Sequence, residues 1–172
     1  MILIADIDGS LVQSIWANDG SSDQHDPAFQ AALLALPALD WVLERGLHVF
    51  QQARDVMFVT GRGTCINDLT RQWVERELGI HEARIINVEF VNYQQYVADK
   101  EAAFDECIQQ CIRGRESPLE MIHVIEDDPI LIEFLAAMAS DLDAVMIHAI
   151  NKAGEHSIRY PAKPVRQQPI MV

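Results

Sequence analysis

Five short apolar runs, rich in β-branched residues and separated by longer stretches of helical periodicity, constrain this chain more than any other feature. They are Met1–Ala5, Val56–Thr60, Arg84–Val91, Met121–Ile125 and Ala144–Ile150. Near-continuous apolar runs of this length suit strands buried on both faces, and strands alternating with helices pair in parallel through right-handed crossovers. The pattern predicts an α/β fold of the Rossmann-like, doubly wound kind, with a mostly parallel sheet of about five strands and helices on both faces. A chain of 172 residues, 49% of them hydrophobic, can bury one such core, so residues 1–150 read as a single domain.

The segments between the runs carry helix punctuation. Asn18–Asp26 is a polar loop, after which Pro37 is expected to open a helix at its first turn and Gly46 to interrupt it. Ile66–Leu78 places Ile66, Leu69, Trp73 and Leu78 on one face and ends at Gly79, a natural helix stop. Lys100–Ile112 and Pro129–Ala139 complete the helices, the latter with proline at its first position. Residues 151–172 hold three prolines and little periodicity, which predicts an extended C-terminal tail.

Acidic residues outnumber basic ones by 26 to 13, a formal charge of -13 with no basic run to offset it. Such a surface repels polyanions, although a divalent cation can reverse the field inside one small pocket. Three cysteines, Cys65, Cys107 and Cys111, form no disulfide framework, and the last two, four apart, read as buried helix thiols. No run is long and apolar enough to cross a bilayer, and Asp6 and Asp8 interrupt the N-terminal one, so a cytoplasmic chain with no membrane partner is expected.

Ligands of open parallel sheets bind beyond the carboxyl ends of the strands. Here those ends carry Asp6-Ile7-Asp8-Gly9-Ser10, Thr60-Gly61-Arg62 and Glu126-Asp127-Asp128. A DxDG sequence followed by Ser or Thr arises by chance in only about one chain in a few hundred of this length, so its place after a buried strand is informative. Asp23, His25 and Asp26 lack a partner spacing and read as a solvated loop, and His48, His123 and His148 read as structural.

With these motifs in this order, the chain resembles the haloacid dehalogenase (HAD) superfamily over roughly Met1–Ile150. The first motif is matched by Asp6–Ser10, the second by Val56–Thr60, the third by Lys100, and the fourth by His123–Asp128. The resemblance implies a magnesium-dependent phosphomonoester hydrolase in which Asp6 is the nucleophile and forms an aspartyl phosphate, while Asp8 serves as general acid and then base. Asp6, Asp127 and the Asp8 backbone carbonyl would hold Mg2+, with Asp128 orienting a water or replacing Asp127. Thr60, Gly61 and Lys100 would hold the phosphate, and Arg62 would bind a second anionic group or stay exposed. Arg84 and Arg113 stand as alternatives to Lys100.

Neither inter-strand gap is long enough for a cap domain, so an open site is expected, facing a phosphorylated small molecule, a nucleic-acid end, or a second copy of the chain in a homo-oligomer. A fold that binds without turnover is the alternative from another class.

Overall fold

The computed structural model describes residues 1–16, 22–142 and 144–160. It is an α/β protein with one six-stranded sheet of order β3-β2-β1-β4-β5-β6: β1 (Ile2–Ala5), β2 (Asp55–Thr60), β3 (Arg84–Asn87), β4 (Ile122–Glu126), β5 (Val145–Ile150) and β6 (His156–Tyr160). The first five strands are parallel, and β6 runs antiparallel to β5. From central β1 the chain moves out through β2 to β3, then returns to the far side of β1 for β4. The direction of winding therefore reverses between β1 and β4, which opens a crevice at their carboxyl ends.

Alternation along each strand divides the core. Leu3, Ala5, Val56 and Phe58 face one layer and meet Trp41, Phe50, Trp73 and Leu78. That layer consists of α1 (Pro27–Ala35), a π-helical turn (Val42–Gly46) running into α2 (Leu47–Gln52), and α3 (Asn67–Leu78). Ile2, Ile4, Met57 and Val124 face the other layer and meet Phe104 and Ile108 of α4 (Tyr93–Gly114) and Leu135 of α5 (Pro129–Ser140). Phe104 is fully buried, so its truncation to alanine should cost about 3–5 kcal/mol.

Several boundaries differ from expectation. The sheet has six strands because His156–Tyr160, placed by sequence in the tail, pairs with β5; proline content described the tail as a whole and concealed this short strand. Residues 161–172 of that tail, and 17–21 of the polar loop, lie outside the described residues. β3 stops at Asn87, and α4 begins at Tyr93, where the Asn92 side chain accepts from Gln95 N. Pro37 opens no helix. It lies in an extended link, and the proline at a helix start is Pro27, with Asp26 as cap. Gly46 does not interrupt its helix: it is buried in the π turn, where an added Cβ would come 3.0 Å from the Trp41 ring. No cap domain is present among the described residues, and only Val88–Asn92 separate β3 from α4.

Candidate active site

Asp6 follows β1 directly, and its N–H donates to Ile125 O at 2.9 Å, continuing the ladder one residue past the strand. This holds Asp6 beside Glu126, the last residue of β4, and both carboxylates are buried. Lys100 lies on the α4 face turned to the sheet and is only 3% exposed. Its Nζ sits 2.9 Å from Asp6 Oδ1 and 3.1 Å from Glu126 Oε2. Tyr96 and Phe104, four residues to either side on the same helix face, place their rings 5.5 and 6.0 Å from that ammonium. Lys100 is thus at the strand tips, two turns inside α4.

Asp6, Glu126 and Asp127 each bring one carboxylate oxygen to within 4.8 Å of the others. Burial lowers the Lys100 pKa, but Asp6 and Glu126 more than offset it and hold the ammonium charged, well above its ordinary value. Burial raises Asp6 well above the usual carboxylate range; Lys100 opposes this, and Glu126 and Asp127 add to it. Asp127 is pushed up to about 7, by burial first and by Glu126 second. Three acids facing one ammonium leave a deficit of positive charge. Asp6 Oδ2 is buried with no hydrogen-bond partner, and Glu126 Oε2 meets Lys100 as an ion pair without a hydrogen bond. Hard oxygen donors, unmet lone pairs and surplus negative charge together fit a small divalent cation.

The glycine of the first motif has a local reason. Gly9 sits at φ +96°, and an added Cβ would run into the Asp127 carboxylate. Ser10 Oγ donates to Asp127 Oδ1 at 2.9 Å, which fixes the acid over the turn. Glu126 Oε1 accepts from the backbone N–H of Asp127 and Asp128 at 2.9 and 3.0 Å, shaping the loop after β4.

Two residues stand elsewhere than expected. Arg62 is neither exposed nor open to a second anion: it is 1% exposed, with Nε and Nη2 each donating to Asp8 at 2.8 Å and its guanidinium 5.7 Å from the Trp73 ring. Asp128 lies outside the three-carboxylate cluster. It caps α5 by accepting from Ile130 N at 2.8 Å, and its other oxygen accepts from Tyr93 Oη at 2.8 Å. Glu126 occupies the place in the cluster that Asp128 was expected to share.

Thr60 ends β2 fully buried, and its hydroxyl accepts from Arg62 N at 3.2 Å. Asn87 at the end of β3 donates to Arg62 O at 2.6 Å, so the Thr60-Gly61-Arg62 turn is tied to two strands. Asp26 caps α1 by accepting from Ala28 N, and Asp23 accepts from His25 N, so both acids brace the polar turn before α1. Cys107 and Cys111 are buried free thiols, and burial pushes Cys111 up to about 12.

A cavity of about 780 Å³ opens above the strand tips, with Asp6 and Asp8 among its lining residues. Its aromatic walls, Trp16 on one side and Phe90, Tyr93 and Tyr96 on the other, had no signal in the sequence, because they lie in links without periodicity or at the first turns of α4. No helix among the described residues is long and apolar enough to cross a membrane. No family model, curated protein or solved structure matches this chain.

Proposed function

We propose that this chain is a magnesium-dependent phosphomonoester hydrolase acting through an aspartyl phosphate, an acyl phosphate, on Asp6. One observation carries the reading: at the winding reversal, Asp6 has one oxygen fixed by Lys100 and the other buried and unpartnered, beside Glu126 and Asp127. A carboxylate attacks phosphorus only when it is positioned and when the phosphate charge is neutralised. Asp6, Glu126 and Asp127 would hold Mg2+, which when bound supplies that neutralisation.

Attack by Asp6 forms an O–P bond as the bond from phosphorus to the leaving oxygen breaks. Asp8, after leaving the Arg62 fork and taking up a proton from solvent, protonates the leaving oxygen, then accepts a proton from the water that attacks phosphorus and frees the Asp6 carboxylate. Lys100 holds the nucleophile in place and offsets charge on the transferring group. Arg62 is a positioning residue. It holds both Asp8 oxygens at the rim, and Asp8 must leave this fork to meet the leaving group. Thr60, at the buried strand end, orients the turn beside the site by accepting from Arg62 N. A reducing cytosol is the compartment that would keep the chain's three cysteines as thiols.

Asp6→Asn should lower magnesium-dependent phosphate release from an aryl phosphate by roughly a thousandfold or more, with the circular dichroism spectrum unchanged. Turnover equal to that of the unaltered protein would remove Asp6 as nucleophile. The Arg62–Asp8 pair favours one other reading, a protein that binds magnesium on this fold without turnover. Equilibrium magnesium binding with no phosphate release across a broad panel would select it.

A further inference from the structure

The cavity over Asp6 has two unlike properties. Its walls are aromatic, and they come from opposite helical layers. Trp16, in the segment leading to α1, is braced by Phe29 in an edge-to-face pair with centroids 4.9 Å apart. Across from it, Phe90 leans on Tyr96 at 5.5 Å, and Tyr93 is held by its hydroxyl to Asp128. Phe90 is 43% and Tyr93 50% exposed, so their ring faces are open to the cavity and to solvent. Each ring is fixed from behind by a neighbour, so little side-chain freedom would be lost on contact with a flat ligand.

The second property is the absence of free positive charge. No lysine or arginine lines the cavity among the described residues. The two cations nearest its floor are already engaged, Lys100 with Asp6 and Glu126, and Arg62 with both oxygens of Asp8. Glu89 adds a further acid to the wall. A second phosphate or a carboxylate on the substrate would meet hydrogen-bond donors such as Ser14, His25 and Thr64, but no lysine or arginine to offset its charge against the acids of the wall.

We propose that the substrate is a monophosphate with no other anionic group, carrying a planar aromatic ring system that sits between Trp16 and the Phe90–Tyr93 wall. This rests on the phosphatase reading for the position of the phosphate over Asp6. About 780 Å³ is ample for a ring system with a sugar attached, so an aryl phosphate and a nucleoside monophosphate share the required chemistry.

The test compares kcat/KM with magnesium for 1-naphthyl phosphate, adenosine monophosphate, glucose 6-phosphate and fructose 1,6-bisphosphate. Calorimetric binding of the first two to the Asp6→Asn protein is measured alongside. At least one aromatic monophosphate should exceed glucose 6-phosphate by about tenfold or more, with the bisphosphate lowest. Which aromatic leads distinguishes an aryl from a nucleoside source. Phe90→Ala and Trp16→Ala should each reduce the aromatic-over-sugar ratio by on the order of tenfold, and weaken calorimetric binding to the Asp6→Asn protein by a similar factor. Turnover without aromatic preference, or a preferred bisphosphate, overturns the substrate class while leaving the phosphatase reading intact. Aromatic binding that depends on Phe90 and Trp16, with no turnover of any ester, supports the cleft and defeats the phosphatase reading. Absence of both binding and turnover overturns the two together.

Discussion

The two ends of the sheet both carry networks of charge, and they differ in what surrounds them. At the amino ends of the strands, Arg54 donates to Glu120 at 3.0 and 3.2 Å, approaches Glu116 at 3.6 Å, and shares Glu120 with the Met1 ammonium. The Arg54 side chain is open to water, and the adjoining groove, about 720 Å³, is lined by Arg54, Arg71 and Arg84. Arg71 donates to Ala83 O and Arg84 to Gln110, so these cations are engaged at the surface. At the carboxyl ends, Lys100, Asp6 and Glu126 are buried, and an acid oxygen is left without a partner. Similar residue types and distances therefore have different consequences. Water reaches Arg54 and Glu116 in one network, where the largely covered Glu120 is fully matched by Arg54 and the Met1 ammonium, whereas the other is desolvated, under-compensated and fit to take up a cation.

The strongest attempt to break this comparison is Lys100→Met. Removal of the only ammonium from the buried cluster should cost about 3–5 kcal/mol in urea denaturation, and millimolar magnesium should restore part of it. Stability equal to that of the unaltered protein would mean that the cluster carries no net electrostatic strain.

A second test uses a row of histidines that face no acid, with His148 buried at its centre. His123 Nδ1 and His148 Nε2 lie 2.8 Å apart, as do His148 Nδ1 and His156 Nε2, so three rings joined edge to edge run across β4, β5 and β6. His156 in turn stacks on Trp41 at 5.0 Å. Burial, then the neighbouring histidines, lowers His148 from 6.5 to about 3. The unfolded chain therefore binds a proton at His148 that the folded chain refuses between these values. Stability is unaffected above about pH 6.5 and is lost as pH falls towards 3, by about 2 kcal/mol at about pH 5. Urea midpoints from pH 7.5 to 5 should show this decline, and His148→Asn should flatten it. An unchanged slope in that variant would assign the acid sensitivity to other groups.

The smallest effect belongs to the exposed end. Arg54→Met should shift the thermal midpoint by only about one or two degrees and should lose even that in high salt. A loss comparable with that of Lys100→Met would erase the distinction between the two ends.

How far the site could be read beforehand follows the same division between screened and buried groups. Asp6, Asp8, Thr60 and Asp127 were legible because each closes or follows a buried strand, and the periodicity of α4 placed Lys100 on a helix. The partner of Asp8 was not legible. Arg62 at a strand-tip turn suggests an anion site equally well whether the anion is substrate or protein, and only the Trp73 packing that buries it decides the matter. Among Glu126, Asp127 and Asp128, the strand end determines which acids reach inward and the start of α5 takes Asp128 as its cap.

The sequence by itself determined the parallel strands, their alternation with helices, and the acids at their tips, because a strand buried on both faces must be a short apolar run and a polar residue can follow only where the sheet opens. Tertiary structure alone decided that Lys100 would stand between Asp6 and Glu126, that three histidines would form one row, and that β6 would join the sheet. Those contacts depend on the rotation of α4 and on register between strands, which neighbouring residues in the chain do not encode.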